Sequence, residues 1–359
     1  MPSQRVRTSE HTARIAAPAG VVYGLIADAV RWPLLLPTPV HVERIDFDGV
    51  HERLRLWDLD GDQVRSFHLH RILHPGRRTV EFEQEDTARP GLPTTGTWTV
   101  EAHGDTHCLV TLRQDRTPER HPGADTAPTR HRWQTEPADR LTHLSAVAER
   151  WEHLDQLLLS FEDTLHLDGP AELVYDFLHR IEDWPERLPH VDAADVNEDV
   201  PGIQIAALDT CTPDGRTRTT RTARLCFPAA ARIVFKELRT PHPIAARTGT
   251  WSLTPDGDGV RVVCAQQVLL HDPPHTPHTP HTPHTPHTPH TPHTPHTPHT
   301  PHTPHAPNAP YDPNAPHGPG APGGLAETRR DVRTWLGRAS TETLRLAGWR
   351  ARTAVRRLR

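Results

Sequence analysis

The chain has 359 residues, enough for two or three domains at ~100–200 residues each. Its apolar fraction is 35%, diluted by a Pro/His/Thr-rich stretch over 273–324, and its net charge of −5 excludes the whole-chain basic footprint of a nucleic-acid binder. No run of ~18 apolar residues spans a membrane, the N-terminus lacks the apolar stretch of a signal peptide, and Cys108, Cys211, Cys226 and Cys264 show no CxxC spacing for structural zinc or redox chemistry. Reduced thiols in a cytoplasmic protein are the expectation. A single lysine, Lys236, stands against 39 arginines, a usage bias from which the sequence alone yields no function.

In chain order, residues 7–16 alternate weakly and predict a strand. Pro18 suits the first turn of a helix, and Val22, Leu25, Ile26 and Ala29 follow at helical spacing. Trp32-Pro33 stops that helix, because proline disfavours helical backbone at the residue before it; Leu34–Leu36 form one more short turn. A meander follows, with strands at 40–47, 51–59, 63–74, 78–85, 94–102 and 106–114. Its breaks are Asp48-Gly49, Asp60-Gly61, His74-Pro75-Gly76, Arg89-Pro90-Gly91 and His103-Gly104-Asp105. After a polar stretch, 138–158 predicts a long helix with Leu141, Leu144, Val147, Trp151, Leu154 and Leu158 on one stripe. Short turns imply an antiparallel sheet, which cannot bury its inner face without that helix. A curved sheet gripping one helix leaves a concave, mostly apolar cavity where ligands commonly bind.

The pattern occurs twice. Pro18, Tyr23, Trp32 and Pro33 recur as Pro170, Tyr175, Trp184 and Pro185 at an offset of 152. The segment TGTW at Thr95–Trp98 recurs at Thr248–Trp251, and Gly104-Asp105 as Gly257-Asp258, both at 153. Shared composition would not hold one register over some 90 residues, and the period is too long for a solenoid. Each copy is therefore a whole domain, expected at 8–160 and 162–350. The second copy repeats the order with a strand at 162–168, a helix at 170–180, strands through 270 and a final helix over 325–347.

Ten consecutive His-Thr-Pro units run from His275 to Pro304, inside a loop before the last helix. Polyproline II geometry would space the histidines roughly 9 Å apart, too far for two neighbours to share an ion at bonds of ~2 Å. A disordered spacer inserted at 273–324 is the expectation, and no metal site is assigned.

The order of helix, Trp32-Pro33 (again Trp184-Pro185), the strand ending Phe67-His68-Leu69-His70-Arg71, GTW and long helix, present twice, resembles the polyketide aromatase/cyclase family of the START/Bet v 1-like superfamily. It is most similar to the di-domain members of bacterial type II (aromatic) polyketide pathways. The resemblance implies an α+β architecture of two tandem helix-grip domains, each a curved antiparallel sheet wrapped on a long C-terminal helix around an internal cavity. It further implies a poly-β-ketone chain, held by phosphopantetheine on an acyl carrier protein and reduced by a ketoreductase. The chain would be folded in the cavity and closed by an intramolecular aldol reaction (between C7 and C12 in the di-domain members). Dehydration to an aromatic ring follows, with no cofactor. A ketosynthase and the ketoreductase of the same pathway are further implied partners; nucleic acid and membrane are not.

In that family an essential arginine on a central strand points into the cavity. The matching positions are Arg71 and, at an offset of 153, Arg224. A fixed guanidinium stabilises an enolate or alkoxide and does not lose its own proton. Alternation puts Phe67, Leu69, Arg71 and Leu73 on one face and His68 and His70 on the other. A salt-bridged or rim-exposed arginine would look the same. The sequence departs from the single-domain pattern: Phe67 replaces a Trp, Leu69 a Ser and Pro39 a Tyr, so two hydroxyl groups are absent from the first copy. Thr220 and Thr222 share the face of Arg224 and are candidate hydroxyl relays or simple β-formers. Trp32, Trp57, Trp98, Trp184 and Trp251 are candidates to wall the cavities, with core packing as the alternative.

Residues 325–359 carry ten Arg against three acids, which suits an acidic carrier protein; a solvated helix end or a nucleic-acid-binding tail gives the same composition. Two rival functions stay open: a non-catalytic START-like carrier of a hydrophobic ligand, and a scaffold for the synthase complex. Because loop closure costs only ~0.6 kcal/mol per doubling of length, deleting 275–304 is expected to leave activity and the thermal midpoint largely unchanged. Loss of folding on that deletion, read by circular dichroism, would show the tract to be structural.

Overall fold

The computed structural model of the chain describes residues 6–86, 94–116, 127–211, 217–272 and 324–358, and leaves aside the side chains of 86, 127–135 and 356–358. The Pro/His/Thr-rich tract and the turn at Arg89-Pro90-Gly91 lie outside the described residues.

Alternating burial begins at once in β1 (Arg7–Ile15). It is followed by α1 (Ala19–Ala27), which buries Ala19, Val22 and Ile26, and by the four-residue α2 (Trp32–Leu35). Then come β2 (Pro39–Phe47), β3 (His51–Asp60), β4 (Gln63–His74), β5 (Thr79–Asp86), β6 (Thr94–Ala102) and β7 (Cys108–Arg116). These seven strands form one antiparallel sheet in the order β1-β7-β6-β5-β4-β3-β2. The helix α3 (Ala127–Ala148) lies against it, chiefly over β1.

The second copy repeats the plan. A short α4 (Leu154–Leu157) leads into β8 (Leu158–Asp168), α5 (Ala171–His179) and α6 (Trp184–Arg187). Strands β9 (Val191–Val200), β10 (Ile203–Cys211), β11 (Thr217–Phe227), β12 (Arg232–Arg239), β13 (Ile244–Asp256) and β14 (Gly259–Leu270) complete a second sheet, ordered β8-β14-β13-β12-β11-β10-β9. The 34-residue α7 (Leu325–Leu358) closes it and packs on β8. Among the described residues no helix is long and apolar enough to cross a membrane.

Two helices depart from their predicted bounds: α7 runs past 347 to Leu358, and the helix before the second copy is shifted. The stripe over 138–158 is not continuous: α3 starts at Ala127 and ends at Ala148. Leu141, Leu144 and Val147 are buried as expected, but Trp151 stands exposed in the turn that follows. Leu154 belongs to α4 and Leu158 opens β8. The chain reverses at 149–153 to deliver the first strand of the second copy, and that constraint outweighs helical periodicity.

The repeated GTW segment has a steric basis. A Cβ on Gly96 would sit 2.5 Å from Phe82 Cζ and 2.4 Å from the Arg113 carbonyl; on Gly249 it would sit 2.3 Å from Phe235 Cζ. In each sheet the phenyl ring of the neighbouring strand lies flat over the glycine, paired with it in register (Phe82 with Gly96, Phe235 with Gly249).

The two units touch through the outer face of the second sheet. Ala223, Leu225 and Val234 join Val40, Trp57 and Val64 of the first unit in one apolar cluster. Arg232 pairs with Glu43, and Arg221 lies 2.7 Å from Asp62. A second cluster brings Leu34 and Leu35 against Ile244, Leu270 and Leu336.

Gly96→Ala and Gly249→Ala are each expected to cost ~1–3 kcal/mol, the range for overpacking a filled site. Gly24→Ala, inside α1 with open space at its Cβ position, is expected to stabilise by ~0.5–1 kcal/mol. Urea midpoints of the three variants test this ordering.

Candidate functional site

The last turn of α1 carries four carbonyls with no partner inside the helix. All four are taken. Asp28 N–H donates to Gly24 O at 2.9 Å, and the Trp32 indole donates to Leu25 O at 3.0 Å. Arg71 covers the remaining two, through Nη1 to Ile26 O at 3.1 Å and Nη2 to Ala27 O. The second copy does the same. Arg180 N–H takes Asp176 O, Trp184 takes Phe177 O at 2.9 Å, and Arg224 takes Leu178 O and His179 O. The tryptophan before each proline and the arginine on each central strand thus cap one helix between them, with the cation at its negative end.

Strand alternation sends Leu69, Arg71 and Leu73 inward, while His70 is exposed on the opposite face. Arg71 is 2% exposed and borders a chamber with Trp32, Leu69, Phe82, Trp98 and Arg140. That chamber has about 10 Å³ of room, close to what one water needs. Beside it opens a pocket of about 260 Å³ between Leu36–Thr38, the Leu59–Gly61 turn and Glu136, Asp139 and His143 of α3. Arg140 belongs to both walls. It reaches toward Asp58 at 3.7 Å and Glu136 at 3.5 Å. Burial pushes the Asp58 carboxyl up, opposed by the charge of Arg140 and a hydrogen bond from Thr38.

The two arginines differ in their company. Arg71 Nη2 lies 2.9 Å from the buried Glu52 carboxylate, which Arg44 also contacts at 2.7 Å. In the second copy the corresponding position, at an offset of 152, is Gln204. Its amide oxygen accepts from Arg224 Nη1 at 2.7 Å, and its nitrogen donates to Glu198 at 2.7 Å. Burial lowers the pKa of both arginines; the charge of Glu52 opposes this at Arg71, whereas around Arg224 the opposing groups are Cys226, Tyr175 and more distant carboxylates. Unit one holds an ion pair, and unit two a guanidinium on a neutral amide.

Sequence reasoning passed over two hydroxyls. Tyr23 and Tyr175 each bury a phenol oxygen without a hydrogen-bond partner, and each feels the charge of its arginine. Their signal was the shared offset of 152. Also missed was a polar cluster under α7: Arg247 donates to Gln266 at 2.7 Å and to Glu237 at 2.6 Å, and Gln266 donates to Ser340 at 2.8 Å.

A family model described as "Polyketide cyclase / dehydrase and lipid transport" matches residues 159–273. The granaticin polyketide synthase bifunctional cyclase/dehydratase of Streptomyces violaceoruber is 35% identical over 276 residues, covering 76% of this chain and 84% of that protein. The chain belongs to the polyketide synthase bifunctional cyclase/dehydratase family. The actinorhodin counterpart of Streptomyces coelicolor is 31% identical over 279 residues, 73% of this chain and 83% of the relative. Two solved structures extend the likeness over nearly the whole length. The di-domain ARO/CYC BexL from the BE-7585A pathway has a TM-score of 0.70 at 29% identity, covering 96% of this chain and 98% of its own. StfQ from the steffimycin pathway has a TM-score of 0.71 at 24% identity, covering 97% and 99%, and supports the fold. The tandem helix-grip, START/Bet v 1-like architecture is therefore that of this cyclase/dehydratase family.

Within that architecture the candidate residues divide. Trp32, Leu69, Trp98 and Arg71 meet at one chamber, while Phe67 is half-buried against the first unit's core and does not line it. Trp57 does not wall it: the tryptophan lies on the outer face of the first sheet, edge-on to Phe227 at 5.7 Å, because β3 turns that side toward the second unit. Trp184 caps α5, and half-buried Trp251 packs by Phe235 at 6.5 Å. Thr220 and Thr222 are half-buried on the strand face of Arg224.

Arg71→Ala leaves Glu52 without its buried partner and is expected to cost ~3–5 kcal/mol. Arg224→Ala removes a charge that no carboxylate neutralises and strands neutral acceptors only, at ~1–3 kcal/mol. Equal losses in urea denaturation would refute the difference in pairing.

Proposed function

We propose that the protein receives a poly-β-ketone chain tethered to an acyl carrier protein, closes its first ring by an intramolecular aldol reaction and dehydrates the product to the aromatic ring. In the aldol step an α-carbon loses a proton, its electron pair forms the new carbon–carbon bond, and the attacked carbonyl becomes an alkoxide that takes up a proton. Dehydration then removes that hydroxyl together with a neighbouring proton as water. Both steps pass through anions of oxygen, and both are helped by a fixed donor in a dry site.

The observation that carries this reading is a buried guanidinium held by the same helix-end carbonyls in each unit, with an unpartnered phenol hydroxyl in its field. The backbone carbonyls that hold each arginine set its position before substrate arrives, which is what preorganised stabilisation requires. The unequal pairing assigns unequal roles. Arg224 rests on a neutral amide and keeps its charge available for an oxyanion, with Thr222 and Tyr175 as hydroxyls that pass protons. Arg71 is matched by Glu52, so its unit receives the chain in the 260 Å³ pocket beside the small Arg71 chamber, and Arg71 assists through its remaining donor, Nε, which is buried without a partner. The carrier docks along the basic outer side of α7, where complementary charge speeds encounter.

The test is reconstitution with ketosynthase, carrier protein and ketoreductase, with products read by mass spectrometry. Arg224→Gln is expected to lower the correctly cyclised product ~10²–10³-fold, as loss of an oxyanion donor does. Shunt products of spontaneous cyclisation should replace it. A wild-type product profile from folded Arg224→Gln and Arg71→Lys proteins would transfer the case to a ligand carrier.

A further inference from the structure

The chain's single lysine lies at the contact between the units. Lys236 sits on β12, on the outer face of the second sheet beside Val234, and is 3% exposed. Its ammonium crosses to the first unit and donates to three carbonyl oxygens: Leu36 at 2.6 Å, Pro37 at 2.8 Å and Pro39 at 2.8 Å. Three acceptors match the three N–H donors of an ammonium. A neutral amine would leave one carbonyl facing a lone pair. An arginine fork is planar and longer, and cannot meet three oxygens converging on one point. The corresponding position in the first unit, at an offset of 153, is the exposed Glu83, so the contact runs one way.

The segment that Lys236 holds is a wall of the first unit's mouth. Leu36, Pro37 and Thr38 line the 260 Å³ pocket. Two of the four residues from Leu36 to Pro39 are prolines, which have no N–H to offer a neighbouring strand, so the segment has few ladder bonds of its own. It is tied inward by Leu59 N–H to Thr38 O at 2.9 Å, and Thr38 stands beside the Asp58 carboxyl, whose pKa it lowers. Asp58 pairs with Arg140, the side chain shared between the pocket and the Arg71 chamber. A continuous set of contacts thus runs from the second unit, through Lys236 and the Leu36–Pro39 carbonyls, to the residue that separates the open pocket from the inner chamber.

We propose that Lys236 is a positioning residue of the cyclase/dehydratase reaction: the second unit sets the wall and, through Thr38 and Asp58, the Arg140 partition of the first unit's substrate entrance. The inference rests on the reading that the chain enters the 260 Å³ pocket. It gives the fusion of the two units a mechanistic content, since the first entrance is incomplete without a side chain from the second.

The test uses the full chain. In Lys236→Met, amide hydrogen exchange is expected to rise about tenfold over 36–40 and 57–61, where local opening becomes easier, with the β13–β14 ladder unchanged. Lys236→Arg should not restore protection. Thr38→Val, which leaves the lysine in place, should loosen 57–61 in the same way and serves if Lys236→Met fails to fold. In the reconstituted synthase, both variants should lower correctly cyclised product by up to ~10²-fold, the range for misplacement near a reacting centre. The loss in the double variant should match that of either one alone. A rise in exchange spread evenly over both units would reduce Lys236 to interface glue, and local loosening with an unchanged product profile would overturn its role in the reaction. If the wild-type protein itself does not alter the products, the proposed function fails while the exchange result still decides whether Lys236 holds the wall.

Discussion

Much of this protein depends on how a nine-residue helix ends. Four carbonyls at the C-terminus of α1, and four at that of α5, must find donors in a buried place. One comes from the backbone, one from the tryptophan that begins the next short helix, and two from an arginine on the fourth strand of the sheet. This bond set joins the helix to the strand that faces it and fixes the depth of the chamber between them. It also brings a guanidinium into an apolar interior, which is tolerable because both of its terminal nitrogens meet carbonyl oxygens and a carboxylate or amide oxygen. Under the proposed function, the residue assigned to the chemistry is also one that the fold uses, so deletion alone does not separate the two roles at Arg71 or Arg224.

Duplication then allowed the copies to diverge around a constant frame. The capping bonds are the same in both, but the buried neighbour is Glu52 in one and Gln204 in the other. One atom-for-atom change from carboxylate to amide converts a neutralised pair into a cation on a neutral support. The second cation of each interior differs as well: Arg140 comes from the long helix of the first unit, Arg247 from a strand of the second. The two interiors therefore present different fields around their arginines.

The units are not independent beads. Apolar side chains on the outer face of the second sheet cover Val40, Trp57 and Val64, and a lone ammonium satisfies three carbonyls of the neighbouring loop. Removing one partner of such an arrangement exposes several buried acceptors at once, so the contact has a strong geometric preference. It lies beside the first unit's 260 Å³ pocket, whose wall Leu36, Pro37 and Thr38 form.

The sequence by itself determined the strands of the first copy almost to the residue, because alternation and Gly/Pro turns are local signals; in the second it gave their order, and the one strand it bounded, 162–168, begins earlier, at Leu158. It determined the duplication, because paired motifs held one register. It also singled out Trp32 and Trp184 through their repeated positions, Arg71 through the family resemblance, and Arg224 through its offset from Arg71. Only the tertiary structure decided what those residues touch. The capping bond between Arg71 and Ile26 spans 45 positions, and the clasp between Lys236 and Leu36 spans 200. No periodicity reaches across such separations. Trp57 shows the limit: alternation places it on one face of β3, but whether that face meets a cavity or a second unit depends on which sheet is stacked outside it. Lys236 shows it most plainly, since one lysine among 39 arginines reads as bias until three carbonyl oxygens are found around its nitrogen.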